Sequence, residues 1–496
     1  MTATETIEPR ADLANPHHDR RWLILALLGT AQLMVVLDAT VVNIALPSAQ
    51  KALGFSDGNR QWIVTAYSLT FGSLLLLFGR FGDLFGRKRT LITGLVAFGV
   101  VSAIGGAAQS FGMLVTARAF QGAAGALLAP SALSLLTTTF TQPRERGIAF
   151  GIYGAIAGAG GAVGLLLGGI LTEYLSWRWC LYVNVVIAVP AVCAAMVLLT
   201  NQVPAERPKL DVPGAVAVSL GLFLIVFGFS QAEPRGWTDI ETLGSLIVGV
   251  ILLALFVVIE RRSAHPLLPL RIVLDRNRGG SYLSVLISGA GLFGVFLFLT
   301  YYLQKTLLYS PVVTGLAFLP MVGMIVIGST TSNAVLLPRF GPKPLVPTGM
   351  LLATLGMVML AQLGVHSTYV GHILPALLVI GLGLGLIFAP SINTATLGVS
   401  QNDANVTSAT VNSCQQVDGS IGTAFLNTIA TTAVTSYLVG KAPTPQVVAQ
   451  AAVHGYTVAF WWAAGIFLLG AVVSGSLLRP GTAVAVTGEA QPAVAA

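Results

Sequence analysis

The side chain with the clearest potential for chemistry is Asp38, a carboxylate in the middle of a long apolar stretch. On a helix its own face would carry Ala31, Met34, Val41 and Ala45, none of which is polar. An acid buried in a membrane is costly unless it is paired or protonated. Asp38 is therefore a candidate for carrying a proton; the alternative is a structural carboxylate fixed in a permanent hydrogen-bond network.

The cation available to pair with Asp38 is Arg118, which also lies inside an apolar stretch. On a helix Gln121, Gly122 and Gly125 would share its face, and such small residues let a neighbouring helix approach closely. A guanidinium group does not release its proton at useful pH. We therefore expect Arg118 to tune or pair a carboxylate in proton coupling, the alternative being a purely structural ion pair.

A third charged side chain, Asp418, directly follows Gln415, Gln416 and Val417 in an apolar region. Two interpretations of Asp418 are open. It either lines the cavity and attracts a cationic substrate, or lies near the cytoplasmic mouth, where water solvates it. The predicted cavity-lining polar residues are Asn43, Gln121, Gln415, Gln416 and Asp418.

A short basic loop follows the second apolar stretch and combines Gly79, Asp83, Gly86, Arg87 and Lys88. The glycines permit tight turns, and Asp83 could satisfy the amino end of a neighbouring helix while Arg87 pairs with acids. Contacts of this kind can form in one conformation and break in another, so the loop is predicted to be a gate. The alternative is that its basic residues only set the topology.

The fifth apolar stretch is rich in glycine, with Gly160, Gly164 and Gly168 spaced four residues apart and Gly169 beside them. Small residues at this spacing form a smooth helix face for close packing. Packing alone would explain the pattern.

Two short loops resemble each other, Phe85-Gly-Arg-Lys88 and Phe340-Gly-Pro-Lys343. A repeated loop suggests a duplicated chain, which is a recurrent construction of secondary transporters. Chance similarity over four residues is the alternative.

The composition explains what positions these groups. The 496 residues include 26 Lys plus Arg and 19 Asp plus Glu, so 9% are charged, whereas 55% are hydrophobic. The mean hydropathy is +0.81. Soluble domains carry about 25% charged residues. A large soluble enzyme and a mostly disordered chain are both excluded, and the sequence predicts an all-α polytopic membrane protein.

Fourteen segments are long and apolar enough to be predicted as transmembrane helices of about 20 residues. The predicted spans are 22–47, 61–80, 90–109, 111–137, 148–171, 179–199, 212–232, 241–260, 279–303, 312–337, 344–363, 369–390, 405–438 and 455–478. With this even count, 19 of the 26 basic residues fall on the side of the two termini. The positive-inside rule then places both termini in the cytoplasm. We expect the protein to lie in the cytoplasmic (inner) membrane.

The sequence offers little for other classes of function. It contains no phosphate-binding GK[ST] loop, its three cysteines are scattered, and no histidine pair has a metal-ligand spacing on a helix. We therefore expect no enzyme activity, no metal and no cofactor, with a proton gradient as the energy source. The basic residues are spread over seven segments, so no nucleic-acid partner is expected.

Several motifs resemble the major facilitator superfamily, specifically its fourteen-span drug/proton antiporter branch. The basic loop resembles the signature cytoplasmic loop of the superfamily, with Phe81, Gly82 and Leu84 as departures from it. The glycine-rich stretch resembles the antiporter motif of the fifth helix, but Leu165 replaces its proline. Further matching stretches are Leu37–Pro47, Arg118–Gly122, Gln61–Tyr67 and Trp177–Trp179 with Asn184.

The resemblance implies two six-helix bundles related by pseudo-symmetry, with two extra central helices and alternating access around a central cavity. The domains predicted on this basis are a cytoplasmic tail (1–20), an N-terminal bundle (21–200), two extra helices (201–262), a C-terminal bundle (263–478) and a second tail (479–496). The resemblance also places Arg118 in the proton-relay region. It marks Asp418 as a departure, because the branch usually has glycine there.

These observations predict a proton-coupled exporter of small lipophilic compounds, neutral or monocationic, such as drugs or antibiotics. Its partners would be the small-molecule substrate, protons and membrane lipids, and we expect it to work as a monomer. An exporter of lipids or cell-envelope precursors is an alternative. A solute importer or facilitator is disfavoured, because hydrophilic solutes need more polar groups than the spans contain.

Overall fold

The computed structural model describes residues 18–480 except 57, 80, 141, 201–210, 264–267, 269, 397–400 and 443. At some helical positions, Asp83 and Gln416 among them, it describes only the backbone. The regular elements of this part of the chain are helices. The predicted tails lie almost entirely outside the described residues.

The described α-helices, in chain order, are α1 (Arg21–Leu53), α2 (Gln61–Gly79), α3 (Phe81–Phe85), α4 (Arg87–Gly106), α5 (Phe111–Thr139), α6 (Pro143–Tyr174), α7 (Trp179–Leu198), α8 (Val212–Arg235), α9 (Ile240–Arg262), α10 (Leu270–Val273), α11 (Arg276–Gly294), α12 (Pro311–Thr331), α13 (Leu337–Phe340), α14 (Pro342–Leu360), α15 (Leu374–Thr396), α16 (Gln401–Leu438) and α17 (Pro445–Leu477). Wider π-helical turns occur at Val295–Leu299, Tyr302–Thr306, Ser332–Leu336 and Tyr369–Ile373.

Each predicted span coincides with one long helix. Among the described residues, 11 helices are long and apolar enough to cross a membrane by length and composition. The helices α2, α6 and α16 each contain side chains outside the described part of the chain, and the count of fourteen spans stays a prediction.

Several helices extend beyond the predicted apolar segments. Helix α1 continues to Leu53 and ends at Gly54, whose φ of 69° is the left-handed conformation that glycine adopts easily. Helix α17 begins at Pro445, directly after Thr444, whose side chain accepts a hydrogen bond from the Val447 amide. Hydropathy detects only the apolar part of a helix, whereas capping residues decide where the helix starts and stops.

The helices form two bundles with the same pattern of contacts. In the first, α1 packs against α5, α6 and α7, and α4 packs against α5 and α7. In the second, α11 packs against α15, α16 and α17, and α14 packs against α15 and α17. The pairs α2–α5 and α12–α15 complete the correspondence. The two bundles are therefore related by pseudo-symmetry, as predicted.

The two similar loops occupy corresponding places in the bundles. Each consists of a short helix, α3 or α13, followed by a glycine that begins the next long helix. Gly86 has a φ of 91° and Gly341 a φ of 73°, a conformation that is strained for other residues. The short repeat in the sequence is therefore a structural repeat, and chance similarity is the wrong interpretation.

The bundles meet along two seams, α2 against α16 and α6 against α12. One buried apolar cluster combines Leu46 and Trp177 of the first bundle with Phe318 and Leu360 of the second. Of the two extra helices, α8 packs against both α2 and α16, and α9 packs against α8. The extra pair therefore covers one seam from the side.

Candidate functional site

The centre of the first bundle holds a buried ion pair between α1 and α5. Asp38 is 0% exposed and Arg118 is 1% exposed. The Arg118 Nη1 donates to Oδ2 of Asp38 over 2.5 Å. The contact suggested by the sequence is thus present, while the role of the pair in proton coupling stays a prediction.

Two amides complete the coordination of the Asp38 carboxylate. Asn184 of α7 donates from Nδ2 to Oδ1 over 2.7 Å, and Gln121 of α5 donates from Nε2 to the same oxygen over 3.2 Å. The Gln121 amide also donates to the Ser102 hydroxyl of α4 over 2.7 Å. The carboxylate therefore accepts hydrogen bonds from three side chains on two neighbouring helices.

The rest of the Arg118 guanidinium is also satisfied within the bundle. Its Nε donates to the Ile63 carbonyl oxygen of α2 over 3.1 Å, and its Nη1 donates to Gln121 Oε1 over 2.9 Å. Its central carbon lies 4.4 Å from the centre of the Tyr67 ring, within the range of a cation–π interaction. Arg118 thus connects α1, α2 and α5 through one charged group.

This geometry makes protonation of Asp38 and its ion pair with Arg118 mutually opposed. A proton on the carboxylate would cancel the charge that holds Arg118 and turn one of the two acceptor oxygens into a hydroxyl donor. Because the four side chains involved lie on α1, α5 and α7, a change in the charge of Asp38 would alter contacts between helices. The arrangement is chemically suited to link proton binding to helix movement.

The glycines of α6 allow this helix to lie close to α1 beside Asp38. A Cβ atom at Gly164 would come within 3.2 Å of the Leu37 carbonyl oxygen, and one at Gly168 within 2.9 Å of the Val41 carbonyl oxygen. Gly160 packs against the side chain of Val36. The packing interpretation of the stripe is therefore observed, and its part in antiport stays a prediction.

Gly169 points to the other bundle instead. A Cβ atom there would come within 2.7 Å of the Pro311 carbonyl oxygen at the start of α12. Gly315 of α12 lies correspondingly close to the Leu165 carbonyl oxygen of α6. Leu165, which replaces the proline of the motif, is 0% exposed at this seam.

A small pocket adjoins the ion pair. It lies between α1, α2, α5 and α7 and is mostly apolar, with Arg118 as its charged lining residue. Leu46 and Ala49 line it at the end of α1, and Trp177 lines it from the α6–α7 connection.

The predicted cavity-lining residues are not all brought together. Gln121 joins the Asp38 cluster, and Asn43 donates to the Ala39 carbonyl oxygen of its own helix over 3.1 Å. Gln415 is half-buried on α16, and the side chain of Gln416 lies outside the described part of the chain. Asp418 is only 2% exposed. Solvation of Asp418 at a mouth of the protein is therefore wrong for this conformation, because α11 packs over it.

The predicted gating loop is only partly described. Lys88 donates from Nζ to the carbonyl oxygens of Met196 and Leu199 over 2.7 and 2.5 Å, which satisfies the end of α7. Gly79 ends α2 beside Pro130 of α5, and Arg87 is half-buried. The side chain of Asp83 lies outside the description. Gating by this loop stays a prediction.

Polar contacts link the two bundles at what we call the distal end, where α1 ends at Leu53 and α12 begins at Pro311. Three pairs make these contacts: the Val312 amide donates to Glu173 Oε2 over 3.0 Å, Arg60 Nε donates to Asn427 Oδ1 over 3.0 Å, and Gln304 Nε2 donates to the Ile44 carbonyl oxygen over 3.1 Å. The Arg60 guanidinium also lies 4.4 Å from the centre of the Tyr301 ring. The bundles are therefore joined at this end.

Sequence reasoning did not assign several residues of these contacts. Asn184 is a lone amide in an apolar segment, and that signal could have marked it as a partner of Asp38. Tyr67 lies in the stretch Gln61–Tyr67, which resembles the family but does not by itself indicate a role for the tyrosine. Ser102 and Arg60 have no distinguishing local signal, because their partners are far away in the sequence.

The chain matches known transporters in family profile, in sequence and in fold. The profile of the Major Facilitator Superfamily matches residues 28–423. The puromycin resistance protein pur8 of Streptomyces alboniger is 49% identical over 461 residues, covering 92% of this chain and 92% of that protein. The cephamycin export protein CmcT of Amycolatopsis lactamdurans is 38% identical, covering 82% and 84% of the two chains.

Solved structures agree on the fold. The POT family transporter PepTSo has a TM-score of 0.67 at 14% identity, covering 92% of this chain and 97% of that one. A bacterial homologue of the human lysosomal transporter Spinster, in an inward-facing and occupied conformation, has a TM-score of 0.64 at 14% identity, covering 92% and 96%. Together with the buried ion pair and the paired bundles, these matches show that the chain belongs to the Major Facilitator Superfamily and is a multi-pass membrane transporter rather than an enzyme.

Proposed function

We propose that this protein exports small lipophilic organic compounds, neutral or monocationic, in exchange for protons. The observation that carries the proposal is the buried Asp38–Arg118 pair, a titratable group fully enclosed by donors from neighbouring helices. The names of the relatives support the direction and the class of substrate, since they describe resistance to puromycin and export of cephamycin.

The proposed cycle uses the competition between the proton and Arg118 for Asp38. A proton arriving from outside neutralises the carboxylate, releases Arg118 and loosens the contacts among α1, α5 and α7. Loss of the proton to the cytoplasm restores the ion pair. Alternating access would require the distal contacts of Glu173, Arg60 and Gln304 to break when that end opens.

The remaining expectations belong to the same proposal. The distal end would face the outside, both termini the cytoplasm, and the protein would act as a monomer in the cytoplasmic membrane. The basic loop of Asp83 and Lys88 would gate the cytoplasmic end. Asn43, Gln121, Gln415 and Gln416 would contribute polar groups to the substrate cavity.

A transport assay in inside-out membrane vesicles tests this function. Under an imposed pH gradient, wild-type vesicles should accumulate a lipophilic antibiotic such as puromycin. The variant Asp38→Asn should lose the pH-driven part of this uptake, because an amide cannot bind and release the proton. Unchanged pH-driven uptake by Asp38→Asn would overturn the proposal.

Asp275→Asn provides a matched control for the same chemical change. Asp275 is exposed and caps α11, accepting a hydrogen bond from the Arg278 amide over 3.0 Å. Asparagine caps helices as well as aspartate does. This variant should transport normally, so that a loss confined to Asp38→Asn reports on the buried site.

A further inference from the structure

A second buried carboxylate lies in the other bundle, away from the Asp38 cluster. Asp418 of α16 is 2% exposed. Its Oδ1 has no hydrogen-bond partner among the described residues. The site is therefore closed to water. The hydrogen bond recorded for its carboxylate comes from the Gly419 backbone, whereas Asp38 has a cation and two amides.

Glycine contacts between α11 and α16 enclose this carboxylate. A Cβ atom at Gly289 of α11 would overlap the Asp418 carboxylate itself. Gly419 lies under the Phe293 ring, and Gly422 lies against the backbone of Ala290. The two helices are thus in close contact next to Asp418, which agrees with its near-complete burial.

None of the ion pairs among the described residues includes Asp418. On its own helix Cys414 lies one turn away, and α15 carries no titratable residue. The titratable residue of α2 is Tyr67, whose ring is in contact with the Arg118 guanidinium. On α8, Arg235 forms an ion pair with Glu241. The neighbouring helices carry a few further titratable residues. On α8 this is Glu233, whose side chain is not described. On α11 they are Arg276, Arg278 and Tyr282 in the first two turns, and on α17 they are His454 and Tyr456. Of these, His454 makes a ring contact with Tyr437, five turns from Asp418.

A charged carboxylate in such a place would be enclosed without a cation or a full set of donors. Burying an isolated charge is far more costly than burying a neutral polar group. We propose that Asp418 is a second proton-binding site of this transporter, occupied by a proton while the side chain is enclosed between α11 and α16. Separation of the two helices would let water reach the carboxylic acid, which then ionises and gives its proton to that water.

The description of Asp418 as a second site rests on the proton-coupled function proposed above. The prediction that Asp418 holds a proton does not depend on that function. The test is a proton count on unfolding of the purified full-length protein in detergent. Near pH 6.5 a carboxylic acid exposed to water ionises, because its ordinary pKa is about 3.9. Unfolding of the wild-type protein in weakly buffered denaturant should therefore release one more proton than unfolding of Asp418→Asn, as measured with a pH-indicator dye.

The controls are aspartate-to-asparagine substitutions at Asp38 and Asp275. Asp38→Asn and Asp275→Asn should release as many protons as the wild type, since the first carboxylate is paired with Arg118 and the second is exposed. Equal proton release by the wild type and Asp418→Asn would overturn the proposal and favour a charged Asp418 that attracts a cationic substrate.

A measurement on the wild type alone guards against misfolding of the variant. The infrared spectrum of the folded protein near neutral pH should contain the carbonyl band of a protonated carboxyl group, shifted in heavy water. Absence of that band would overturn the proposal. These results can be distinguished from those of the transport assay. A transporter that is driven through Asp38 alone would show pH-driven uptake in vesicles, but its unfolding would release no additional proton relative to Asp418→Asn.

Discussion

Asp38 and Asp418 are both buried carboxylates, each packed against a neighbouring helix of its own bundle, but their surroundings differ. Asp38 accepts hydrogen bonds from Arg118, Gln121 and Asn184. Asp418 is pressed against Gly289, and its Oδ1 has no partner among the described residues. The same chemical group is therefore paired with a cation and two amides in one bundle, and in the other it is closely packed with a backbone hydrogen bond from Gly419.

The difference teaches that burial does not by itself define the charge state of an acid. A cation and two amides compensate the lost hydration of Asp38, whereas Asp418 can avoid the cost of a buried charge only by holding a proton. Substitutions at the two sites should therefore change the free energy of unfolding for different reasons: loss of partners at Asp38, and steric overlap at Asp418. The following predictions use that contrast.

Loss of the cation at the paired site should have the largest effect. Arg118→Met leaves the Asp38 charge buried without its partner, which should reduce the free energy of unfolding by about 3–5 kcal/mol. Thermal unfolding in detergent measures this loss. The double variant Asp38→Asn/Arg118→Met should recover part of it, because no lone charge remains; a double variant as unstable as the single one would contradict this explanation.

Loss of one amide should cost less than loss of the cation. Asn184→Leu removes a 2.7 Å hydrogen bond to a charged acceptor, and such bonds contribute about 1.5–3 kcal/mol. The same substitution in an Asp38→Asn background should cost clearly less. Asn43→Leu is the matched control, because Asn43 bonds to its own helix rather than to a charge. Equal losses at both asparagines would show that the charge of Asp38 is irrelevant.

At the other site the sensitive contact is steric. Gly289→Ala introduces a Cβ atom that overlaps the Asp418 carboxylate, and overpacking of this kind costs about 1–3 kcal/mol. The double variant Gly289→Ala/Asp418→Ala should be more stable than Gly289→Ala alone. Gly323→Ala is the control, since no atom lies within 4 Å of a Cβ there. Stability curves in detergent distinguish these outcomes.

The smallest change is expected for removal of the unpaired acid. Asp418→Asn replaces a protonated carboxyl group by an amide of the same shape, so it should lower the free energy of unfolding by less than about 1.5 kcal/mol near neutral pH. The loss should be far smaller than that of Arg118→Met in the same assay. A loss as large as that of Arg118→Met would show that Asp418 carries a compensated charge.

Much of the fold could be predicted from the sequence, because the hydropathy of a segment depends on residues that are neighbours in the chain. The segments predicted for α4, α7 and α9 agree with the observed helices to within a few residues. The ends of α1 and α17 were missed, since those turns are held by caps and packing outside the apolar stretch. The pairing of Asp38 with Arg118 was predictable because few charges lie inside apolar segments.

The sequence by itself determined that this protein resides in a membrane, that it is helical and duplicated, and which few charged groups are buried. Only the tertiary structure decided which partners those groups have. Asn184 reaches Asp38 across 146 residues of chain, and Arg60 reaches Asn427 across 367. Such partners depend on how each helix is rotated against its neighbours, and that rotation is set by packing between distant segments. For the same reason the isolation of Asp418 became visible only when α11 was seen to close over it.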